Sequence, residues 1–271
     1  MKFSVLMSVY IKEKPSYLKS ALNSVFNQSL KPAEVVLVED GQLTESLENV
    51  IEEFKQKYKD KFKEVKLSQN VGLGKALNEG LKHCKYEYVA RMDTDDICYK
   101  NRFKKQIEYL EKHKDIAVLG TNVVEYDEKM KNKLSEKNVP STYEEIKKYI
   151  KKRNPFNHMS VIFKKSVIEE VGGYKHCVLF EDYYLWCRVF AKGYKLENIK
   201  EQLVKVRGGQ DMVVRRGGFK YAKNILDFQK KILELGIINH FEFLKNIIIR
   251  IPIAIIPASF RRIIYQKILR K

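Results

Sequence analysis

Phe3-Ser4-Val5-Leu6-Met7-Ser8-Val9 and, one helix-length further on, Val35-Val36-Leu37-Val38 are the stretches whose reading decides the fold. Both are nearly continuous apolar runs of strand length, the pattern of strands buried on both faces. Between them Pro15-Ser16 opens a predicted helix in which Leu18, Ala21, Leu22, Val25 and Phe26 recur at helical spacing, and Pro32 ends it. The alternation continues outward from there. A helix over 44–59 is followed by a strand at Val65–Leu67, a turn Asn70-Val71-Gly72-Leu73-Gly74 into a helix carrying Ala76, Leu77 and Leu81, and a strand over Tyr86–Met92. Repeated β-α-β with short links predicts an α/β fold, a mostly parallel central sheet flanked by helices. Ligands of such sheets bind at the carboxyl ends of the strands. Tyr10, Asp40, Asn70 and Asp93 each follow a strand end and are expected along one edge.

The second half is less regular. Thr142-x-x-Glu145 and Ser166-x-x-Glu169 read as capping boxes, with Gly172-Gly173 stopping the second helix. Val161–Phe163 reads as a strand. Glu181-Asp182 precedes a helical stripe of Leu185, Trp186, Val189 and Phe190 that Gly193 closes. With no internal repeat and no Pro/Gly/Ser linker, the simplest partition is one α/β domain over 1–218 and a helical extension over 219–271.

The chain has 52 Lys plus Arg against 34 Asp plus Glu in 271 residues, a formal charge of +18, which implies a polyanionic neighbour: nucleic acid, an anionic membrane or phosphorylated substrates. The excess is not uniform. Residues 1–60 hold 8 basic and 9 acidic side chains, whereas 243–271 hold 7 basic and none acidic. That last segment is also apolar (Ile247–Ile249, Ile251, Ile253, Ile255, Ile256, Phe260, Ile263, Ile264). It suits either an anionic membrane surface or a helix packed on the domain with a solvated basic rim, and Pro252 and Pro257 are expected to interrupt it. No apolar run reaches the roughly 18 residues of a spanning helix, which excludes a multipass membrane protein. Cys84, Cys98, Cys177 and Cys187 show no C-x-x-C spacing and the five histidines are scattered, so neither a disulfide scaffold nor a zinc site is expected. Without a secretory leader pattern, the expectation is a cytoplasmic protein with reduced thiols.

Five places could carry chemistry. Asp93-Thr94-Asp95-Asp96 puts three carboxylates at a strand end, and alternate residues of extended chain share a face, so Asp93 and Asp95 can point together. Like charges so close want a cation, and a hard divalent ion completed by substrate phosphates fits; a solvated acidic turn is the plainer reading. Asn70-Val71-Gly72-Leu73-Gly74-Lys75 is a glycine-bearing entry to a helix that could cradle phosphate or be an ordinary loop. Glu181-Asp182 could supply a general base or merely complement a helix dipole. His158, in Asn154-Pro155-Phe156-Asn157-His158, could touch a ligand or be a hydrogen-bonded structural histidine. Arg215-Arg216-Gly217-Gly218 is a basic turn, either phosphate-binding or solvated.

Ser4–Tyr10, Val38-Glu39-Asp40-Gly41, Asn70-Val71-Gly72, Asp93-Thr94-Asp95-Asp96 and Glu181-Asp182-Tyr183 occur in an order and at spacings that resemble the family 2 glycosyltransferases of GT-A (Rossmann-like) fold, inverting enzymes that use nucleotide-sugar donors. The resemblance covers roughly residues 2–218 and is closest to bacterial enzymes of capsule, exopolysaccharide or O-antigen synthesis. It implies a nucleotide-sugar half over 1–100 and an acceptor half over 101–218. Val9 and Tyr10 would lie beside the nucleobase, Asp40 would accept its ring N–H, and Asn70, Gly72 and Lys75 would lie near the nucleotide. Asp93 and Asp95 would form the D-x-D pair at ribose and metal-bound diphosphate, with Mn²⁺ or Mg²⁺ as cofactor and Asp95 favoured over Asp93 and Asp96 as its ligand. Asp182 would be the base, with Glu181 its neighbour. The polymerase-type Q-x-x-R-W motif is missing, since the single tryptophan stands in Tyr183-Tyr184-Leu185-Trp186, so addition of one sugar is expected. The resemblance implies a UDP-sugar donor, a glycan or lipid-linked acceptor, no nucleic-acid partner, and a peripheral position on the inner face of the plasma membrane. A sugar nucleotidyltransferase and a basic nucleic-acid-binding protein are the rival readings.

Overall fold

The structure, a computed structural model, describes residues 1–208 and 217–256. Arg215, Arg216 and the segment from Pro257 onward lie outside the described residues. The strands are β1 (Phe3–Val9), β2 (Glu34–Glu39), β3 (Phe62–Lys66), β4 (Tyr88–Arg91), β5 (Ile97–Cys98), β6 (Ile116–Tyr126), β7 (Lys133–Lys137), β8 (Ile162–Lys164) and β9 (Lys195–Arg207). The helices are α1 (Pro15–Phe26), α2 (Glu45–Tyr58), α3 (Leu73–His83), α4 (Arg102–Lys112), α5 (Tyr143–Tyr149), α6 (Lys165–Glu170), α7 (Glu181–Ala191), α8 (Phe219–Glu234) and α9 (His240–Ile255).

All nine strands join one sheet in the order β3-β2-β1-β4-β8-β6-β9-β5, with β7 paired to β6. The β3-β2-β1-β4 half is parallel, as the β-α-β alternation predicts. Beyond β4 the sheet is mixed: β8 runs antiparallel to both β4 and β6, while β6 and β9 pair parallel over a long register. β5, from the end of the first half, pairs with β9 from the second, so the halves over 1–100 and 101–218 share hydrogen bonds across one sheet.

The buried runs behave as their patterns require. β1 and β2 are almost wholly buried, with α1 and α2 packed on one face and α3 on the other. α1 starts on Pro15, whose fixed φ suits the first helical position, and it buries Leu18, Ala21, Leu22, Val25 and Phe26. Thr142 and Glu145 form the expected capping box on α5. Ser166 does not cap: α6 begins one residue earlier, and the Ser166 hydroxyl donates to Glu87 instead. Pro252 does not interrupt its helix either. α9 runs through it to Ile255, because a proline this close to the C-terminal end, exposed on the outer face, forfeits only one backbone bond.

A third cluster of buried residues joins α7 to α8 and α9. Phe180 and Tyr183 lay their rings on Phe228 of α8 at 4.8 and 4.4 Å between centroids, and Ile225, Ile232, Ile237 and Ile238 complete it. Among the described residues no helix is long and apolar enough to cross a membrane. The four cysteines are free and buried.

Two strand-end features give testable consequences. Gly41 has φ +86°, and a Cβ there would stand 2.6 Å from the backbone nitrogen of Asn70. Gly41→Ala therefore combines left-handed strain with a backbone clash, and a loss of about 2 kcal/mol or more in urea unfolding is expected. Glu39, 2% exposed at the end of β2, lies beside Glu64 of β3, with Lys66 at 3.5 Å from Glu39 and 3.2 Å from Glu64. Burial and then Glu64 push the Glu39 carboxyl up to about 7. Burial opposes ionisation of Glu64 too, but hydrogen bonds from Glu39, Lys55 and Lys66 overcome it and hold that carboxyl at about 2. Between the ordinary carboxylate range and pH 7 the folded protein thus binds more protons at Glu39 than the unfolded chain, and stability falls as pH rises through that window. Glu39→Gln removes the effect. The variant should exceed the native protein by about 1–3 kcal/mol at pH 8 and by progressively less as pH falls toward the ordinary carboxylate range, and equal urea midpoints at pH 8 would refute this.

Candidate active site

The carboxyl ends of β1, β2 and β4 converge on one edge of the sheet. Asp40 follows β2, and its backbone N–H donates to Val9 O at 2.8 Å. Its carboxylate accepts from the backbone of Val71 (2.7 Å) and Gly72 (3.1 Å), while the Asn70 side chain donates to Asp40 O at 3.1 Å. Asp40 therefore fixes the turn into α3, with Gly72 at φ +85° as its N-cap. Tyr10 is exposed and Lys75 stands exposed in the first turn of α3. Val9 has a fully buried side chain in the core, so it backs this edge rather than lining it.

After β4 the chain makes the acidic turn. Carboxylate oxygens of Asp93, Asp95 and Asp96 lie within 4.8 Å of one another, the arrangement expected of a cation site. Burial, then Asp93 and Glu13, push the Asp95 carboxyl up to about 6; burial, then Asp95 and Asp93, drive Asp96 well above the carboxylate range. Two arginines hold the turn. Arg91, wholly buried on β4 two residues earlier, donates from Nη2 to Asp93 Oδ1. Asp96 is buried and accepts the backbone N–H of Arg207 at 2.9 Å, and Arg207 Nε donates to Asp95 O at 3.0 Å while its guanidinium lies 3.6 Å over the Tyr17 ring. Thr94 donates to Glu13 at 2.7 Å. Asp93 and Asp95 remain partly exposed. An all-oxygen donor set of three neighbouring carboxylates, in which Asp95 and Asp96 resist ionisation, fits a hard divalent ion, since such an ion supplies the missing positive charge.

A fourth carboxylate comes from the other side. Glu181 and Asp182 open α7, whose Leu185 and Trp186 are fully buried, so this helix start is rigidly seated. Asp182 Oδ2 accepts from Asn154 Nδ2 at 2.7 Å, and Asn154 Oδ1 accepts the Phe156 N–H at 3.1 Å, which fixes the amide's orientation. His158 Nε2 and the Tyr174 hydroxyl lie 2.8 Å apart. Burial and then Arg91 push His158 down to about 4, against the opposing pull of Asp182 and Asp93. The histidine is therefore neutral near pH 7, and both carboxylates are electrostatic neighbours of the same ring. Glu181 turns elsewhere: its Cβ and Cγ border Gly74 at the start of α3, and burial and then Asp182 raise its carboxyl.

The fold thus gathers Asp40, Asn70, Gly72, Lys75, Asp93, Asp95, Glu181 and Asp182 about the strand ends. Glu13, Tyr174 and Arg207 carry no distinguishing motif. Arg91 did have a sequence signal: it opens the run Arg91-Met92-Asp93-Thr94-Asp95-Asp96, and at i−2 from Asp93 it shares that residue's face of the strand.

Residues 4–171 match the family model described as glycosyl transferase family 2. The chain is 40% identical over 270 residues to the UDP-Gal:alpha-D-GlcNAc-diphosphoundecaprenol beta-1,3-galactosyltransferase of Escherichia coli, covering 100% of this chain and 97% of that one. It is 40% identical over 265 residues to the amylovoran biosynthesis glycosyltransferase AmsE of Erwinia amylovora, covering 98% of each. Among solved structures it resembles S. aureus TarS 1–349 in complex with UDP-GlcNAc, with a TM-score of 0.71 at 19% identity over 99% of this chain and 76% of that one. The mannosyltransferase PcManGT from Pyrobaculum calidifontis, in complex with GDP-Man and Mn²⁺, gives 0.67 at 14% identity over 98% and 75%. These two likenesses establish the GT-A-like fold. Full-length identity and the matched model together select the glycosyltransferase reading over its two rivals: the chain belongs to glycosyl transferase family 2, among the bacterial enzymes of polysaccharide biosynthesis.

Proposed function

We propose that this enzyme transfers one sugar, with inversion, from a UDP-sugar to a hydroxyl of a lipid-linked glycan, at the inner face of the plasma membrane. UDP-galactose and an undecaprenyl-diphosphate-linked sugar are the first pair to test, because the full-length relative from Escherichia coli is named for that donor and acceptor. The observation that carries the mechanism is the separate holding of Asp182. It stands apart from the acidic triad, on a helix with a buried face, fixed by Asn154, and like Asp93 it acts on the buried His158.

In this reading the acceptor O–H meets Asp182. The new C–O bond forms at the anomeric carbon as the bond to the diphosphate oxygen breaks, and Asp182 takes the hydroxyl proton. One displacement inverts the configuration and needs no protein nucleophile. Asp40, Asn70, Gly72 and Lys75 hold the nucleotide edge, with Tyr10 offering an exposed ring. Asp95 and Asp93 are the residues that would hold Mn²⁺ or Mg²⁺, with Asp96 turned inward to Arg207. When bound, such an ion neutralises charge on the departing diphosphate. Neutral His158, hydrogen-bonded to Tyr174, feels both Asp93 and Asp182 without adding a competing charge.

UDP release on mixing with UDP-galactose and the lipid-linked acceptor should be abolished by EDTA and restored by Mn²⁺ or Mg²⁺; full activity in excess chelator would overturn the metal role. Asp182→Asn should slow transfer about 10²–10⁴-fold with little change in donor affinity, and Glu181→Gln should cost less. A native rate in Asp182→Asn with a dead Glu181→Gln would reverse the assignment. Asn154→Asp places a like charge on Asp182, so the acidic limb of the kcat/KM profile should move to higher pH, whereas a merely structural role would lower the rate without moving the limb.

A further inference from the structure

α9 packs Phe243, Ile251 and Ala254 inward and still carries a second apolar face outward. Glu242, Asn246 and Arg250, one residue per turn, face the protein. Glu242 accepts from the Lys151 side chain at 2.8 Å, buried Asn246 donates to Lys151 O (3.0 Å) and Gln229 Oε1 (2.9 Å), and Arg250 donates to Lys152 O. The opposite face turns Phe241, Leu244, Ile248, Ile249 and Ile255 outward, with exposures of 76, 56, 62, 50 and 43%. These positions recur at i, i+3, i+7, i+8 and i+14, a single stripe. The Gly218 N–H donates to Ala254 O at 2.8 Å, which brings the start of α8, with Phe219 at 79% exposure, beside the far end of that stripe. A helix that spends its polar side chains on the protein and presents aliphatic and aromatic ones outward is not built to face water.

We infer that this face of α9, with Phe219, is a monotopic docking surface for the interface of an anionic lipid bilayer. Charge selects that occupant. The one polar residue in the stripe is Lys245, exposed between Leu244 and Ile248, and Lys152 stands exposed where Arg250 anchors the helix. The single acid of α9, Glu242, is turned inward to Lys151. A second copy of the chain docking through a two-fold axis would set Lys245 against the same stripe and its own lysine, whereas a layer of anionic headgroups neutralises these cations while the apolar stripe enters the acyl boundary. The surface rests on the proposed lipid-linked acceptor for its purpose: α9 is tied to Lys151 and Lys152, and two residues further on Asn154 holds Asp182, so the docked face and the base share one short segment.

Flotation of the full-length protein with vesicles of phosphatidylethanolamine and phosphatidylglycerol tests this without any assay of transfer. The native protein should float with these vesicles and much less with phosphatidylcholine alone. Leu244→Glu/Ile248→Glu, both on exposed positions, should keep the native melting temperature and lower partitioning about tenfold or more, and Lys245→Glu should weaken binding to anionic vesicles selectively. A double variant that is folded and floats like the native protein would overturn the proposal. So would a native protein that stays with the buffer and forms a dimer that the double variant breaks. Binding with no transfer to a lipid-linked acceptor would instead overturn the proposed function and leave the docking surface standing.

Discussion

Repulsion among Asp93, Asp95 and Asp96 is the constraint around which this molecule is arranged. Three carboxylates within 4.8 Å in a half-buried turn cannot all carry charge at ordinary cost, and the surrounding structure answers each one separately. Buried Arg91 faces Asp93, the Arg207 backbone receives Asp96, and Asp95 is left toward the cleft. Arg207 comes from the end of β9, so the acidic turn is held by the strand furthest from it in sequence. That is why the sheet must be continuous across its mixed half before the turn has its shape.

The reacting groups are separated by the same logic. Asp182 belongs to a helix seated by Trp186 and Leu185, and Asn154 fixes it from a segment that α9 also grips. Placing the proposed base on a different element from the proposed cation ligands keeps its charge available to take a proton. His158, hydrogen-bonded to Tyr174, is an electrostatic neighbour of Asp93 and Asp182, and burial keeps its imidazole neutral. Through Tyr183 and Phe228 the start of α7 also leans on α8. The C-terminal helices are thus part of the framework that positions the base.

Where the sequence reading succeeded, the signal was local. The β1 and β2 apolar runs, the Pro15 helix start, the Thr142–Glu145 cap and the positive-φ glycines Gly172, Gly173 and Gly193 all follow from neighbouring residues alone. Where it erred, a distant partner outcompeted the local one. Ser166 found Glu87 across the sheet instead of its own helix, and Pro252 was carried by a helix already anchored on Lys151 and Lys152. β9, Lys195–Arg207, was not legible because it interleaves charges with its apolar residues and covers only part of its length with core, whereas the apolar, buried run of β6 carried the same signal as β1 and was passed over.

By itself the sequence determined the α/β alternation, the strand-end positions of Asp40, Asn70 and Asp93, and the acidic turn, because burial period and turn chemistry are written in consecutive residues. Only the tertiary structure decided which groups answer those acids and which face of α9 looks outward. Arg207 meets Asp96 across 111 residues and Asn154 meets Asp182 across 28, pairings set by strand register and loop closure. On α9, Phe243 and Ile251 pack inward while Phe241 and Ile248 point out. Both stripes are apolar in the sequence, and it was the hydrogen-bonding partners offered by Lys151, Lys152 and Gln229 that drew the polar face to the protein.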